Sequence, residues 1–262
     1  MMKDLFSLVG RVAVVTGGSR GIGKMIAQGF VEQGAKVYIT ARKVEACEET
    51  AAELSKLGTC VSLPHDLSTV DGCREFAAEV KKQDDAIDIL VNNAGAAWGA
   101  PFEEYPEKGW DKTMDLNVKS LFYLTQAMHS ALKNAASADK PAKVINIASI
   151  DGIKINPWET YAYQASKAAV IHLTRRLAAR LIKDHICVSG IAPGAFSSEM
   201  NFAARDMPDQ VSKMIPAGRI GSDTDMAGTA VFLASRAGDY VVGDTLAVDG
   251  GVAYSNAGES WS

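Results

Sequence analysis

The feature that most constrains this chain is an alternation that runs from one end to the other. Short β-branched runs, apolar throughout rather than every second residue, fall at Val12–Thr16, Lys36–Thr40, Cys60–Pro64, Ile87–Asn92, Lys143–Ala148, Ile186–Ala192 and Thr245–Val248. Continuous apolar runs of this length are the mark of strands covered on both faces. Between them lie helical stretches: Ile22–Gln33, Val44–Leu57, Thr69–Gln83, Trp110–Asn134, Tyr163–Lys183 and Asp223–Ser235, with Ser68 and Asp223 read as N-terminal signals. The pattern predicts an α/β domain, a doubly wound parallel sheet of about seven strands with helices on both faces and right-handed crossovers. It shows no repeat or linker, so residues 1–262 are expected to form one domain. In such sheets ligands bind beyond the carboxyl ends of the strands.

Hydrophobic residues make up 47% of the chain and charged residues 22%, as in ordinary globular proteins, and the net charge of −4 argues against a nucleic-acid surface. The apolar runs are far too short to span a bilayer. The start, Met1 to Leu5, has no apolar stretch of signal-peptide length, so a cytoplasmic location is expected by default. Cys47, Cys60, Cys73 and Cys187 form no C-x-x-C pair, and the histidines do not sit at metal-ligand spacing beside them, so no metal is expected.

The first strand runs into Thr16-Gly17-Gly18-Ser19-Arg20-Gly21-Ile22-Gly23. A glycine-rich turn between a first strand and a first helix lets a diphosphate approach the backbone, where exposed N–H groups favour an anion. Tyr163 and Lys167 stand four residues apart, hence on one helix face. A phenol is a poor base at neutral pH, and a neighbouring ammonium stabilises its phenolate. Ser149 closes the fifth strand at the same sheet edge, where its hydroxyl can hold a substrate oxygen as charge develops. Tyr161, whose i+4 neighbour is Ala165, reads as a packing or pocket-wall aromatic. After the second strand come Arg42 and Lys43, with no acid to take ribose hydroxyls. Arg42, with Arg20 in the glycine loop, suits a 2′-phosphate, so the expected cofactor is NADP(H).

Together these motifs resemble the short-chain dehydrogenase/reductase family, from about residue 8 to 254 and in the family's order. The loop follows its T-G-x-x-x-G-x-G form, and Asn92-Asn93-Ala94-Gly95 resembles its signature after the fourth strand. The resemblance implies a three-layer Rossmann fold and a catalytic set of Asn117, Ser149, Tyr163 and Lys167. Lys167 would also grip the nicotinamide ribose, and Asn117 would help hold a proton-relaying water chain. It implies cofactor contacts from Gly17, Ser19, Arg20, Gly21, Ile22, Gly23, Arg42, from Asp66 and Leu67 at the adenine, from Asn93, Ala94 and Gly95, and from Pro193 and Gly194 at the nicotinamide. Asp249-Gly250-Gly251 matches the close of the last strand. The segment from Ser149 to Tyr163 counts one residue more than the commonest family spacing, which bears on loop geometry there.

Stretches such as Gly17–Ala27, Tyr105-Pro106, Gly109-Trp110 and Tyr161-Ala162-Tyr163 are similar to NADPH-dependent β-ketoacyl reductases of the rhamnolipid-associated type. That implies a small-molecule carbonyl or hydroxy substrate, a 3-oxoacyl thioester or related ketone, and a homotetramer by analogy. The tetramer would use the two long helices in one interface and the last strand and tail in another. Two rivals stand beside it: a broad ketone reductase or secondary-alcohol dehydrogenase, and a non-catalytic NADP-sensing protein. A lid is expected over about 194–221, containing Phe196, Met200, Phe202, Met207, Met214 and Ile215, which suit an apolar ligand or pin the lid to the core. Ala96–Ala100, with Trp98, and Ile153–Trp158 would form the other walls. Arg175, Arg176, Arg180 and Lys183 could face an acidic carrier protein, solvent or another subunit.

Overall fold

The computed structural model describes residues 4–255; Met1 to Lys3 and the tail from 256 to 262 lie outside the described residues. Seven parallel strands run in the order β3-β2-β1-β4-β5-β6-β7. They are β1 Val12–Thr16, β2 Lys36–Thr40, β3 Thr59–Ser62, β4 Ile89–Asn92, β5 Ala142–Ile147, β6 Ile186–Pro193 and β7 Thr245–Val248. The order reverses between β1 and β4, so the connections after these two strands leave in opposite directions and open a crevice at their carboxyl ends.

The helices are α1 Gly21–Glu32, α2 Val44–Leu54, α3 Val70–Gln83, α4 Glu107–Met114, α5 Ser120–Ala135, α6 Tyr161–Leu181, α7 Phe202–Asp206, α8 Pro208–Ser212 and α9 Asp223–Ala234. Side chains alternate across each strand, so Ala13 and Val15 enter one core layer with Ile26, Phe30 and Met226, whereas Val14 enters the other with Phe76, Leu124 and Val170. Both faces are sealed, which explains why the strands read as continuous apolar runs.

Three expectations need correction. The stretch read as one helix from Trp110 to Asn134 is α4 and α5 joined by a π-helical turn, Asp115–Lys119. The cap of α3 is Thr69, not Ser68: its side chain accepts from Gly72 N at 3.0 Å. Helix α9 is capped by Ser222 rather than Asp223, in a reciprocal capping box with Asp225.

At the amino ends of the strands, polar groups are paired with one another. Asp88 accepts from Arg11 at 3.1 Å and from Val12 N at 2.9 Å, with Lys140 Nζ 2.7 Å away, and so clamps β1, β4 and β5. Lys36 donates to Asp84 at 2.6 Å, and Tyr38 hydroxyl bonds the same carboxylate. The buried Lys143 Nζ lies 2.7 Å from Asp239 Oδ1, off the hydrogen-bond axis.

Candidate active site

The glycine loop and the turn after β4 are sewn together across the crevice. Asn93 N and Ala94 N both donate to Thr16 Oγ1 at 2.9 Å, and Asn93 Nδ2 donates to Thr16 O at 2.8 Å. Gly17 holds φ +63°, which an L side chain resists. A Cβ on Gly23 would lie 2.2 Å from Gly17 O, so only glycine lets α1 start this close to the strand. Ser19 O accepts from Thr50 at 2.9 Å, fixing the loop from behind.

Helix α1 begins with no side-chain cap and no acid in its first turn. Helices α3 and α9 are both capped by hydroxyl side chains. Four orphan N–H groups at an uncapped terminus favour an anion, so this corner fits the diphosphate of a dinucleotide. Arg42 is exposed at the carboxyl end of β2. Arg20 pairs with Glu199, and a Cβ on Gly21 would lie 3.2 Å from Ser198 Cβ, so the lid rests on the glycine loop. Asp66 is exposed and accepts from Ser68 N at 2.9 Å, while the Leu67 side chain is buried and can offer a cofactor only its backbone. Pro193 ends β6, and Gly194 N donates to Val248 O at 2.9 Å.

Ser149, Tyr163 and Lys167 converge at the ends of β5 and α6. Helix α6 starts at Tyr161, two residues earlier than the sequence suggests, so Tyr163 sits in its first turn. Lys167 Nζ donates to Ile147 O at 2.8 Å and lies 5.5 Å from the centre of the Tyr163 ring. Burial pushes the Lys167 ammonium down to about 8, opposed by Asp151. Burial also pushes the Tyr163 phenol up to about 12, opposed by a hydrogen bond with Ser149 and reinforced by the charge of Asp151. Asp151 itself is raised by burial, against a hydrogen bond from Asn156 and the pull of Lys167.

Asn117 lies in the π-helical turn, where asparagine's poor helix propensity suits a break. Its Oδ1 accepts from Ala96 N at 2.8 Å, and its Nδ2 donates to Ala96 O and to Ser166 Oγ, both at 2.9 Å. Ser166 Oγ in turn donates to Tyr163 O at 2.7 Å. Asn117 thus joins the loop holding Gly95 to the first turn of α6. Deeper in the core, Asn92 Nδ2 donates to Thr125 Oγ1 at 3.0 Å and to Asn146 Oδ1 at 2.9 Å, and Asn146 Nδ2 donates to Thr174 Oγ1 at 3.0 Å. This chain of buried side chains ties α5, β4, β5 and α6 together.

Sequence reasoning missed Ser166, Asp151 and Glu199. Ser166 had a signal, a small hydroxyl three residues after Tyr163 and able to bond back to its carbonyl. The other two are acids, Asp151 in the 3₁₀ turn Ile150–Gly152 and Glu199 in a loop, with no pattern to mark them.

At the wall, the Trp98 ring packs on the bare backbone of Gly109, with Lys112 at 5.5 Å and Lys108 at 5.9 Å from its centre, and so ties its loop to α4. The two wall loops are zipped by Ala100 N donating to Glu159 O at 3.2 Å. Tyr161 packs edge-on against Tyr105 and Phe102. In the lid, Phe196 and Ile215 are buried pins, whereas Met200, Phe202, Met207 and Met214 are exposed.

Residues 17–253 match the family described as enoyl-(acyl carrier protein) reductase. The chain is 48% identical over 253 residues to the rhamnolipids biosynthesis 3-oxoacyl-[acyl-carrier-protein] reductase of Pseudomonas aeruginosa, covering 95% of this chain and 99% of that one. It is 37% identical to gluconate 5-dehydrogenase of Gluconobacter oxydans over 96% of this chain and 98% of that one. Among solved structures, the Pseudomonas aeruginosa RhlG/NADP active-site complex superposes with a TM-score of 0.93 at 48% identity, covering 96% and 99% of the two chains. A gluconate 5-dehydrogenase from Burkholderia cenocepacia, in complex with NADP and tartrate, gives 0.87 at 35% identity over 95% and 97%.

Proposed function

Because the chain belongs to the short-chain dehydrogenase/reductase family, we propose that it is an NADPH-dependent reductase that converts the ketone of a 3-oxoacyl thioester, or a related ketone, to the hydroxy compound. The observation that carries this reading is the convergence of Ser149, Tyr163 and Lys167 beside a crevice whose first helix is left uncapped. NADPH supplies the hydride when bound. Ser149 holds the substrate oxygen, and Tyr163 gives it a proton as the alkoxide forms, a far stronger base than a phenolate. Lys167 replenishes the field around Tyr163 and takes the nicotinamide ribose. Asn117 acts through Ser166 and Ala96 to hold the first turn of α6 against the loop of Asn93, Ala94 and Gly95.

Gly17, Ser19, Gly21, Ile22 and Gly23 would cradle the diphosphate, with Asp66 and the Leu67 backbone at the adenine and Pro193 and Gly194 at the nicotinamide. Arg42 takes the 2′-phosphate, and Arg20 joins it when it leaves Glu199. The lid over about 194–221 presents Met200, Phe202, Met207 and Met214 to an acyl chain. A pair of hydroxyls aimed at an oxygen suits a carbonyl; reduction of an enoyl double bond would deliver its proton to carbon.

The same reading takes the enzyme as a cytoplasmic homotetramer. No helix among the described residues is long and apolar enough to cross a membrane. Trp110, Phe122 and Ile182 on α4, α5 and the end of α6, and Tyr240 and Val242 before β7, are exposed apolar groups on the faces expected to assemble. The test is NADPH oxidation with acetoacetyl and crotonyl thioesters and simple ketones. Turnover on the acetoacetyl thioester well above the others is expected, and preference for the crotonyl thioester or for NADH overturns the reading.

A further inference from the structure

Asp249-Gly250-Gly251 takes no part in the reacting centre, yet three separate pieces of the site meet on the turn it begins. We propose that Asp249 is a positioning residue for the nicotinamide half of the cofactor: by folding the chain after β7, it fixes the start of the lid and the lid's rear anchor at one point. The inference rests on the reading that puts the nicotinamide against Pro193 and Gly194.

The turn over residues 249–255 is built around one carboxylate. Asp249 Oδ1 accepts from Gly251 N at 2.9 Å and Oδ2 from Ala253 N at 2.6 Å, so both oxygens are used to reverse the chain. Ser255 N donates to Gly251 O at 2.8 Å and closes the coil. Gly250 takes φ +65° at its apex, a conformation that resists any side chain.

The lid is tied to this turn at two places. At its start, Gly194 N donates to Val248 O at 2.9 Å, and a Cβ on Gly194 would lie 2.7 Å from Asp249 Cβ, so the backbone there runs directly over the aspartate. At its rear, Ala217 N donates to Gly250 O at 2.9 Å, and a Cβ on Gly250 would lie 2.6 Å from Ile215 Cγ2, one of the buried pins. Gly221 N donates to Ala195 O at 2.9 Å and joins the two ends at their base. Between these anchors stand the exposed Met200, Phe202, Met207 and Met214. The third piece is the loop after Ser149, whose Lys154 Nζ donates to Val252 O at 3.3 Å. Strand β7 lies at the opposite end of the sheet from β2 and β3, whose loops carry Arg42, Asp66 and Leu67. A shift at Asp249 therefore reaches the nicotinamide end of the crevice and leaves the adenosine end in place.

The test separates the two halves of the cofactor, by titrating the ligand-free enzyme with NADPH and with 2′,5′-ADP, which has no nicotinamide. Asp249→Asn turns one acceptor into a donor that faces an N–H. It should weaken NADPH by roughly tenfold, the scale of a hydrogen bond lost at a part-buried donor, and 2′,5′-ADP by less than about twofold. Gly250→Ala keeps the carboxylate but drives a methyl group against Ile215, and should give the same split. In both variants the Gly194 and Ala217 amides should exchange with deuterium faster than in the wild type. Both ligands weakened alike per folded molecule, or neither, would make Asp249 a prop of the last strand alone and overturn the proposal, even with wild-type turnover on the acetoacetyl thioester intact. The split without any turnover on that thioester overturns the 3-oxoacyl reading and leaves the role of Asp249 standing.

Discussion

The two edges of the sheet handle polar groups in opposite ways. At the amino edge, Asp88, Asp84 and Lys143 meet partners within the chain, and the backbone groups there are drawn into the same clusters. At the carboxyl edge the loops are just as firmly tied, through Thr16, Asn93 and Asn117, but groups that face the crevice are left over: the first N–H groups of α1 and the Arg42 guanidinium. One edge spends its polarity on stability, and the other withholds it for a ligand. Changes at the two edges should therefore separate stability from function.

The sharpest break is Tyr163→Phe, which deletes one oxygen. It should cut kcat by about a thousandfold, within the range of general acid catalysis, and leave the melting temperature and NADPH binding as they were. Substantial residual turnover would remove Tyr163 from its role, above all if Tyr161→Phe proved more damaging. At the other edge, Asp88→Ala strands a buried guanidinium and should cost about 3–5 kcal/mol of stability, read from denaturant unfolding, with kcat/KM per folded molecule unchanged at low temperature. If activity fell in step with stability in the folded enzyme, the two edges would not be independent.

Smaller in scale, Arg42→Ala should weaken NADPH by about one to two decades, the worth of a charge-assisted hydrogen bond at roughly 1.5–3 kcal/mol, and leave NADH nearly unaffected. Ala41→Asp combined with Arg42→Ala should carry preference over to NADH. Equal losses for both cofactors would make Arg42 a mere solvated charge.

The finest test uses pH. Lys167 is pushed down from 10.5 to about 8, so the folded protein releases its proton earlier than the unfolded chain does. A lysine lowered in this way opposes folding below about pH 8, and the opposition fades as pH rises toward 10.5. The ligand-free Lys167→Met variant should therefore gain on the wild type in melting temperature at pH 7, by a margin that narrows between about pH 8 and 10.5. A margin flat in pH would mean that the ammonium is not desolvated.

Most strands were legible because burial on both faces leaves an uninterrupted apolar run, and β1, β2 and β7 match their expected bounds residue for residue. The break between α4 and α5 was not, because a π-helical turn is set by where Asn117 finds partners, on Ala96 and Ser166, rather than by local periodicity. Composition told that the lid was rich in methionine and phenylalanine but not which residues faced inward, since burial of Phe196 depends on its bridge to Gly221. The site residues of the glycine loop, Ser149, Tyr163 and Lys167 lie along one edge because each follows a strand or opens a helix in register with the motif. Glu199 owes its place against the glycine loop to Arg20, a neighbour distant in sequence that no spacing reveals.

The side-chain chain from Thr125 through Asn92 and Asn146 to Thr174 has a further consequence, in the time domain. Because each amide bridges two elements, α6 cannot lift or slide along β5 without also freeing buried groups on β4 and α5. The amides of α6 around Val170–Thr174 and those of β5 would then exchange with deuterium together, through one cooperative opening, while the exposed lid exchanges through small local fluctuations. The clock of the reacting centre is thereby set by the core, and that of the lid by its own few pins.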